Sequence, residues 1–165
     1  MELTAARQQD LPRIMELLAQ AKAFLKENGV DQWQDGYPEQ SHIENDILNG
    51  AGYLCVDQGQ MVGYLCVDYN GEPAYESLNG AWLSIQPYVV VHRLALDNRV
   101  KGRGLASEAF RLVEEMSRER GIHSFKIDTD EGNQIMKHLL VKNGFQYCGT
   151  IRFANSEKIA YEKLI

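Results

Sequence analysis

Long apolar runs are missing from this 165-residue sequence, so no segment has the length needed to cross a bilayer. The first ten residues, MELTAARQQD, also lack the apolar core of a secretory signal peptide. We therefore expect a cytoplasmic protein with no membrane partner. Basic residues are few as well: 17 lysines and arginines stand against 23 aspartates and glutamates, for a net charge of −6. Wide contact with nucleic-acid phosphates is unfavourable for such a chain, so we predict no nucleic-acid partner.

Cysteine is scarce, with three residues (Cys55, Cys66 and Cys148) and no close C-x-x-C pair. Cys55 and Cys66 each lie in an apolar YLCV segment, where cysteine acts as a small hydrophobic side chain. We predict core cysteines and no metal site, with a nucleophile or metal ligand as the alternative.

Internal repeats, low-complexity tracts and domain linkers are not found in the sequence either. Hydrophobic residues make up 44% and charged residues 24%, which is typical of a globular chain. The length is sufficient for one sizeable core. We predict a single domain over residues 1–165.

Hydrophobic periodicity predicts an α/β (α+β) fold with a mixed sheet, in the order β-α-α-β-β-β-α-β-α-β-β. The first helix follows Asp10, a favourable N-cap residue, and closes at Asn28-Gly29. The turn at residues 57–60 predicts a β-hairpin, and the apolar run YVVVHRLAL predicts a strand buried on both faces. The predicted strands are 3–7, 53–56, 61–67, 88–96, 125–128, 146–151 and 158–164. The later helices are predicted near 43–48, 105–116 and 133–142. We also predict a short extra strand near Trp82 and a turn at Asn155-Ser156.

The most informative stretch is the loop Arg99-Val100-Lys101-Gly102-Arg103-Gly104, between a buried strand and a long helix. A loop that enters a helix N-terminus presents unpaired N–H groups and the positive end of the helix dipole. The two glycines let an anion approach the backbone closely, and three cationic side chains add positive charge. These features predict a pyrophosphate site; a basic turn with no function is the alternative.

Two common nucleotide motifs fit this loop poorly. A Rossmann G-x-G-x-x-G fingerprint would require glycine at Ser107, and it normally opens a fold instead of following at least three strands. A P-loop would require G-K-[ST], which the loop lacks. The alternative of an NAD-binding oxidoreductase therefore depends on Gly102 and Gly104 alone.

The pattern R-x-x-G-x-G after a strand that reads HRLAL resembles the GNAT superfamily of acyl-CoA N-acyltransferases. A second stretch, NQIMKHLLVKNGF, is similar to the family pattern N-x-x-A-x-x-L-Y-x-K-x-G-F. The resemblance covers most of the chain and is most specific over residues 92–145. It implies a GNAT fold with acetyl-CoA as the cosubstrate and no metal. The second stretch matches the pattern at Asn133, Leu139, Lys142, Gly144 and Phe145.

The resemblance also implies which residues hold the cosubstrate. In the family, the strand before the loop splays from its neighbour, and its free backbone groups pair with the pantetheine arm of CoA. Asn133 would hydrogen-bond the pantetheine or acyl end, with helix capping as its alternative role. The implied cofactor-binding residues are Leu94, Ala95 and Leu96 for pantetheine, then Arg99, Val100, Lys101, Gly102, Arg103, Gly104, Leu105 and Ala106 for the pyrophosphate, together with Asn133 and Lys142.

One departure concerns the general acid. Many family members have a tyrosine that protonates the departing thiolate, at the position where this chain has Leu140. A free thiol has a pKa of about 8.5, so a positioned acid helps without being indispensable. His138 lies about 200° around the helix from Leu140 and should face away. Tyr147, Tyr161 and water stay open as acids.

The general base is a second departure. An alkylammonium must lose a proton before it can attack a thioester. Family members often place a carboxylate on the long strand, where this chain has valines at 89–91. His92 shares a strand face with Val90 and Leu94 and titrates near neutral pH, so we predict His92 as the catalytic base, with Asn133 as the second catalytic residue. A histidine paired within the sheet or lining the pocket is the alternative. The N–H near Leu94 would polarise the acyl carbonyl.

Aromatic residues around the connecting segments predict the acceptor side. The regions that carry them wall the acceptor site in GNAT proteins, although large aromatics in loops also cap cores. The predicted substrate-binding residues are Trp33, Tyr37, Trp82 and Tyr88. Asp35, Asp68 and Glu76 are further contacts for a cationic acceptor, or else solvated carboxylates.

The sequence therefore predicts an acetyl-CoA-dependent N-acetyltransferase that acts by direct attack in a ternary complex. Its acceptor would be a primary amine of a small molecule or a protein, and a homodimer is compatible with the fold. The alternative is a catalytically inactive GNAT-fold acyl-CoA binder or sensor, which Leu140 and the missing strand carboxylate favour slightly.

Overall fold

The structure is a computed structural model that describes residues 1–153 and 156–165. Within those residues lie eight strands, four α-helices and three short 3-10 helices. The turn predicted at Asn155 lies outside the described residues. The strands are β1 Glu2–Ala5, β2 Gly52–Asp57, β3 Gln60–Asp68, β4 Asn79–Gly80, β5 Val89–Leu96, β6 Ser124–Asp130, β7 Gln146–Phe153 and β8 Ser156–Leu164. The α-helices are α1 Leu11–Glu27, α2 Gln40–Leu48, α3 Leu105–Glu119 and α4 Gln134–Lys142, and the 3-10 helices are Gln8–Asp10, Pro73–Ser77 and Asn98–Val100.

The strands form a mixed sheet, which confirms the predicted fold class. The hydrogen-bonded order is β1-β2-β3-β5-β6-β8-β7-β4. β5 and β6 are parallel, whereas β2 is antiparallel to both β1 and β3, and β8 is antiparallel to both β6 and β7. The chain forms two compact units: unit 1 is Met1–Val67 with His92–Leu112, and unit 2 is Asp68–Val91 with Val113–Ile165.

The extra strand near Trp82 is β4, which has only two residues and pairs with β7 through Thr150 and Gly149. A side chain at Gly80 or Gly149 would overlap the backbone of the opposite strand, so this close approach requires glycine at both positions. A strand this short carries no hydrophobic alternation, so periodicity did not place it in the predicted order.

Unit 1 is built on the apolar face of α1. The buried side chains of α1 recur at helical spacing, at Leu11, Ile14, Leu17, Leu18 and Leu25, and the core cluster extends from this helix to α2 and the β2–β3 hairpin. The hairpin turn has positive φ at Gln58 (51°) and Gly59 (75°), which is the two-residue turn that matches strand twist. Asp10 directly precedes α1 as predicted, but its carboxylate accepts a hydrogen bond from the Arg7 N–H at 2.8 Å and does not cap the helix.

Unit 2 has its own core and an unusual buried carboxylate. Tyr75, Val90, Ile151 and Ala160 form one buried cluster. Glu162 on β8 is fully buried. It accepts hydrogen bonds from the backbone N–H groups of Leu83 and Ser84 and from the hydroxyls of Ser84 and Ser124. It therefore fixes the loop before β5 to the sheet of unit 2.

The three cysteines are buried and reduced. Burial raises the pKa of the Cys55 and Cys66 thiols to about 12. The burial of Cys55 and Cys66 confirms the prediction that both are core residues.

The described part of the chain contains neither a membrane-spanning helix nor a cluster of metal-binding side chains. None of its helices combines the length and apolar character that a membrane span requires. The described residues also hold no group of three or more His, Cys, Asp or Glu side chains arranged to bind a metal ion.

Candidate active site

The loop after β5 starts at Asp97, a residue that the sequence analysis did not single out. Asp97 is 1% exposed, and its carboxylate accepts hydrogen bonds from the N–H (2.9 Å), Nε (3.0 Å) and Nη2 (2.8 Å) of Arg99 and from Arg13 on α1. Chiefly through Arg99, these donors hold the pKa of Asp97 far below its usual range. The Asp97 N–H also donates to the Val62 carbonyl of β3 at 2.8 Å, so the loop is anchored where it leaves the strand.

The loop then follows a left-handed path at its two glycines. Gly102 has φ 78° and Gly104 has φ 76°, and a Cβ built on either one would meet no atom within 4 Å. The loop ends where α3 begins at Leu105, and the first N–H groups of an α-helix have no intrahelical partner. This open, glycine-containing entry to a 15-residue helix has the chemistry of an anion site.

The loop cations already have partners within unit 1. The Arg99 guanidinium pairs with Asp97 at 2.8 Å, and Arg103 pairs with Asp57 at 2.9 Å. The Lys101 ammonium lies 3.0 Å from the centroid of the Phe24 ring. Both arginine side chains are largely exposed, at 76% and 49%, so they can turn towards a phosphate. The predicted positive charge is therefore present, but an anion would compete for it with the residues that hold it now.

Val100 differs from the rest of the predicted phosphate loop. Its side chain is 8% exposed, whereas residues 101–104 are all exposed. Its backbone N–H donates to the Asp97 carbonyl at 3.1 Å. Val100 therefore anchors the loop to the core. Its buried side chain is poorly placed to contact a cofactor.

The register pairs between β5 and β6 lie near the start of both strands, and the opening of the two strands stays a prediction. The register pairs are Val89 with Phe125 and Val90 with Lys126, although both strands extend several residues further. The predicted pantetheine residues all lie on β5 in unit 1, with Leu94 and Leu96 half-buried and Ala95 buried. Next to them, a Cβ at Gly63 would come 2.5 Å from Leu96 Cδ2 and 2.9 Å from the Ala95 carbonyl, so β3 approaches β5 closely only because residue 63 is glycine.

The backbone of β5 is distorted at Arg93, whose φ of 56° is rare for a residue with a side chain. Such a residue interrupts the alternation of side chains along the strand. The shared face predicted for His92 and Leu94 rests on that alternation, so His92 keeps only its relation to Val90. His92 is half-buried on β5, and its role as a base stays a prediction.

A polar network in unit 1 holds the distorted residue. Arg93 donates to both carboxylate oxygens of Asp46 on α2, at 2.9 and 2.5 Å, and to the Tyr37 hydroxyl at 2.6 Å. The Tyr64 hydroxyl donates to the same carboxylate at 2.7 Å, and burial, followed by this contact, raises the Tyr64 pKa far above its usual value. Tyr37, predicted to contact the acceptor, thus also links the α1–α2 segment to β5. Trp33 from the same segment packs against the core of unit 1.

The predicted acceptor aromatics of unit 2 surround a lysine. The Lys126 ammonium on β6 lies 4.4 Å from the Trp82 ring centroid and 4.2 Å from that of Tyr88. The Trp82 indole N–H donates to the Tyr75 carbonyl at 2.9 Å, and the Tyr88 hydroxyl accepts from the Glu72 N–H at 3.1 Å. Both rings therefore cap the core of unit 2, the alternative role that the sequence left open, and their contact with a substrate stays a prediction.

The three loop carboxylates predicted as acceptor contacts, Asp35, Asp68 and Glu76, differ in exposure and in hydrogen bonding. Asp35 and Glu76 are exposed, and Asp68 accepts hydrogen bonds from Asn70. Contact of these three residues with a cationic acceptor stays a prediction.

Helix α4 in unit 2 bears on the predicted acid and on Asn133. The Asn133 side-chain oxygen accepts from the Met136 N–H at 3.1 Å, so Asn133 is the N-cap of α4; its contact with a ligand stays a prediction. Leu140 is fully buried and His138 is exposed, which confirms that the two side chains face apart. Lys142 is exposed in the last turn.

Two tyrosines in unit 2 stay open as the general acid. Tyr147 is 59% exposed and Tyr161 is 4% exposed, with their rings 5.8 Å apart at an edge-on angle. Burial raises the pKa of Tyr161, so it retains its proton at neutral pH. The more accessible Tyr147 is thus the easier of the two for a ligand to reach.

The motif order, the glycine loop and the mixed sheet agree with comparisons to known proteins. A family model for the acetyltransferase (GNAT) family matches residues 11–145. This chain belongs to the GNAT acetyltransferase family. A GNAT-family acetyltransferase from Streptococcus agalactiae is 34% identical with a TM-score of 0.92, over 99% of this chain and 95% of that chain. A search of curated protein sequences finds no significant match.

Two more distant GNAT structures share the fold. RimL, a ribosomal L7/L12 α-N-protein acetyltransferase in complex with coenzyme A, is 22% identical with a TM-score of 0.71, over 99% of this chain and 93% of that chain. The aminoglycoside acetyltransferase AAC(6')-Ib, also in complex with coenzyme A, is 17% identical with a TM-score of 0.71, over 98% and 93% of the two chains. The family membership confirms that this GNAT protein is of the acetyltransferase class.

Proposed function

We propose that this GNAT protein transfers the acetyl group of acetyl-CoA to a primary amine by direct attack in a ternary complex. The observation that carries the proposal is the open path at Gly102 and Gly104, which leads into the first turn of α3. Backbone N–H groups at this position suit a pyrophosphate, and the exposed Arg99 and Arg103 side chains can add charge-assisted hydrogen bonds. The residues present therefore fit CoA.

The strand before this loop supports the same cosubstrate. Leu94, Ala95 and Leu96 follow the distorted Arg93, on the part of β5 that extends beyond its two register pairs with β6. A thioester supplies an acyl carbon that an uncharged amine can attack, with the CoA thiol as the leaving group. We assign the backbone of 94–96 to pantetheine, and the N–H near Leu94 to the acyl carbonyl.

The acceptor is a primary amine of a protein or a small molecule. RimL acts on a protein N-terminus, AAC(6')-Ib on an aminoglycoside, and both share only the fold with this chain. A cationic amine suits the net charge of −6. A cytoplasmic location and function without a metal belong to the same proposal.

Release of CoA tests this function. Purified protein and acetyl-CoA are mixed with a panel of amines: a peptide with a free N-terminal serine, a lysine peptide with a blocked N-terminus, and kanamycin. The free thiol is measured against reactions that lack protein or amine. We expect amine-dependent CoA release with one class of acceptor. Failure of every panel amine would contradict transfer to these acceptors.

A catalytically inactive acyl-CoA binder is the second candidate. It is favoured by Leu140, which is fully buried at the position where many family members have an acidic tyrosine. A binder predicts acetyl-CoA affinity without amine-dependent thiol release, so the same panel combined with a binding measurement distinguishes the two functions.

A further inference from the structure

Asp128 on β6 is an acidic residue that the predicted site does not use. Side chains alternate along a strand, so Lys126, Asp128 and Asp130 share one face of β6. Lys126 on that face contacts the rings of Trp82 and Tyr88, the two acceptor-side aromatics of unit 2. Asp128 therefore lies on the same side of the unit 2 sheet as the predicted acceptor residues.

Asp128 also lies just past the end of the parallel ladder. The last register pair between β5 and β6 is Val90 with Lys126, two residues before Asp128. On the opposite edge of β6, Asp128 is in register with Ala160 of β8. Asp128 thus lies two residues beyond the last β6 residue in register with β5, and it is half-buried.

The surroundings of Asp128 keep its carboxyl group available for a proton. Its hydrogen-bond donor is the Tyr75 hydroxyl at 2.7 Å, and Tyr75 packs against both Trp82 and Tyr88. The charged groups that act on it are Glu72 and Asp130, which disfavour its ionisation, and Lys158, which favours it but pairs directly with Asp130. Among the described residues, no basic side chain forms an ion pair with Asp128. Burial raises the pKa of Asp128 to about 6, so it is ionised at neutral pH but only weakly acidic.

We propose that Asp128 is the general base of the transfer, with Tyr75 as the residue that positions its carboxylate. This assignment rests on the proposed function. It names the acceptor as an amine that arrives protonated, because a carboxylate both attracts an ammonium and can accept its proton.

The transfer converts a substrate ammonium and acetyl-CoA into an acetamide and the CoA thiol. One proton passes from the substrate ammonium to an Asp128 carboxylate oxygen, and the uncharged amine forms a C–N bond to the acetyl carbon. The C–S bond of the thioester breaks, and the sulfur keeps the electron pair. The second amine proton neutralises the thiolate, and Asp128 returns its proton to solvent. The products are the acetamide, CoA thiol and one released proton.

The test compares two matched Asp→Asn variants on the same face of β6. The acceptor is the panel amine that the wild type acetylates fastest. We expect Asp128→Asn to lower kcat at pH 7 by about 100-fold or more, the usual contribution of a general base. Asp130→Asn leaves the Asp128 carboxylate in place, so kcat at pH 7 should stay within about 3-fold of wild type, while loss of the Asp130 charge should lower the pKa of Asp128. Acetyl-CoA affinity by calorimetry should stay within about 3-fold of wild type in both variants.

The pH profile distinguishes a base from a structural carboxylate. Wild-type kcat/KM should rise with a limb near pH 6, and the Asp128→Asn profile should lack that limb. Tyr75→Phe removes a hydrogen bond to the charged carboxylate, so the limb should move to higher pH. A variant that only loosened the fold would not shift the limb.

Each contrary outcome has a distinct meaning. Undiminished kcat in Asp128→Asn would overturn the assignment, and a loss confined to His92→Gln would give the base to His92. Loss of acetyl-CoA affinity in Asp128→Asn would make Asp128 structural and likewise overturn its role as base. Wild-type protein that binds acetyl-CoA but acetylates no panel amine would overturn the proposed transfer to these acceptors, and the assignment of a base for that transfer with it.

Discussion

Replacing Asp46 with alanine should destabilise unit 1 strongly, because Asp46 balances the charge of a nearly buried arginine. Asp46 is 5% exposed as a residue, the Arg93 side chain is 12% exposed, and Arg93 donates to both oxygens of the Asp46 carboxylate. The Tyr64 hydroxyl, in a fully buried residue, depends on the same carboxylate. Asp46→Ala thus leaves one charge and one hydroxyl without their acceptor.

The expected loss follows from these contacts. Removing one partner of a buried ion pair costs about 3–5 kcal/mol, and an orphaned buried hydroxyl costs about 1–3 kcal/mol. The two costs overlap, because Arg93 and the Tyr64 hydroxyl can share rearranged partners, so we expect a decrease of about 4 kcal/mol in the free energy of unfolding. For a chain of this length, that loss lowers Tm by about 8–16 °C.

Urea denaturation followed by circular dichroism measures the change, with Asp57→Ala as the matched control. Asp57 pairs with Arg103, whose side chain is 49% exposed, and with the N-terminal ammonium at 3.7 Å, so its loss should cost no more than about 2 kcal/mol, half the loss expected for Asp46→Ala. The double variant Asp46→Ala/Arg93→Leu removes the unbalanced charge and should be more stable than Asp46→Ala alone. A loss below about 1 kcal/mol in Asp46→Ala, or a double variant no more stable than the single one, would refute the reasoning.

Three further predictions concern the loop, the buried glutamate and the thiols. Gly104→Val should abolish acetyl-CoA binding but leave the fold intact. Gly29 also has a left-handed φ and open space around it, so the control variant Gly29→Val should bind acetyl-CoA normally. Equal binding by both variants would contradict the loop assignment. Glu162→Ala leaves four donors unsatisfied and should lower the free energy of unfolding by about 3 kcal/mol in a urea titration, and a loss below about 1 kcal/mol would count against its role in fixing the loop. Cys55 and Cys66 should react with a thiol reagent only after unfolding, because burial raises the pKa of both to about 12; rapid labelling of the native protein would show that they are accessible.

Features that one continuous segment encodes could be predicted from the sequence. The apolar stripe of α1 and the Gln58-Gly59 turn are local patterns, and each fixes an element or a turn. The loop from Arg99 to Gly104 was predicted for the same reason, because two glycines before an amphipathic helix form a local pattern.

Features that join distant segments could not be predicted in this way. The sequence around Arg93 predicts a regular strand, whereas Arg93 has a left-handed backbone and donates hydrogen bonds to Asp46, which is 47 positions away. The Tyr75–Asp128 contact likewise spans 53 positions. Desolvation and long-range hydrogen bonds set the chemistry of these groups, and neither leaves a periodic mark in the sequence. We predicted His92 as a base from the alternation of side chains along β5. The left-handed backbone of Arg93, the next residue, interrupts that alternation.

Calorimetric titration of the purified protein with acetyl-CoA, with NADH as the control ligand, tests the central claim most directly. We predict binding of acetyl-CoA with a dissociation constant on the order of micromolar, equivalent to about −8 kcal/mol, and no binding of NADH. Absence of acetyl-CoA binding, or binding of NADH in its place, would contradict the assignment of residues 99–106 to the CoA pyrophosphate.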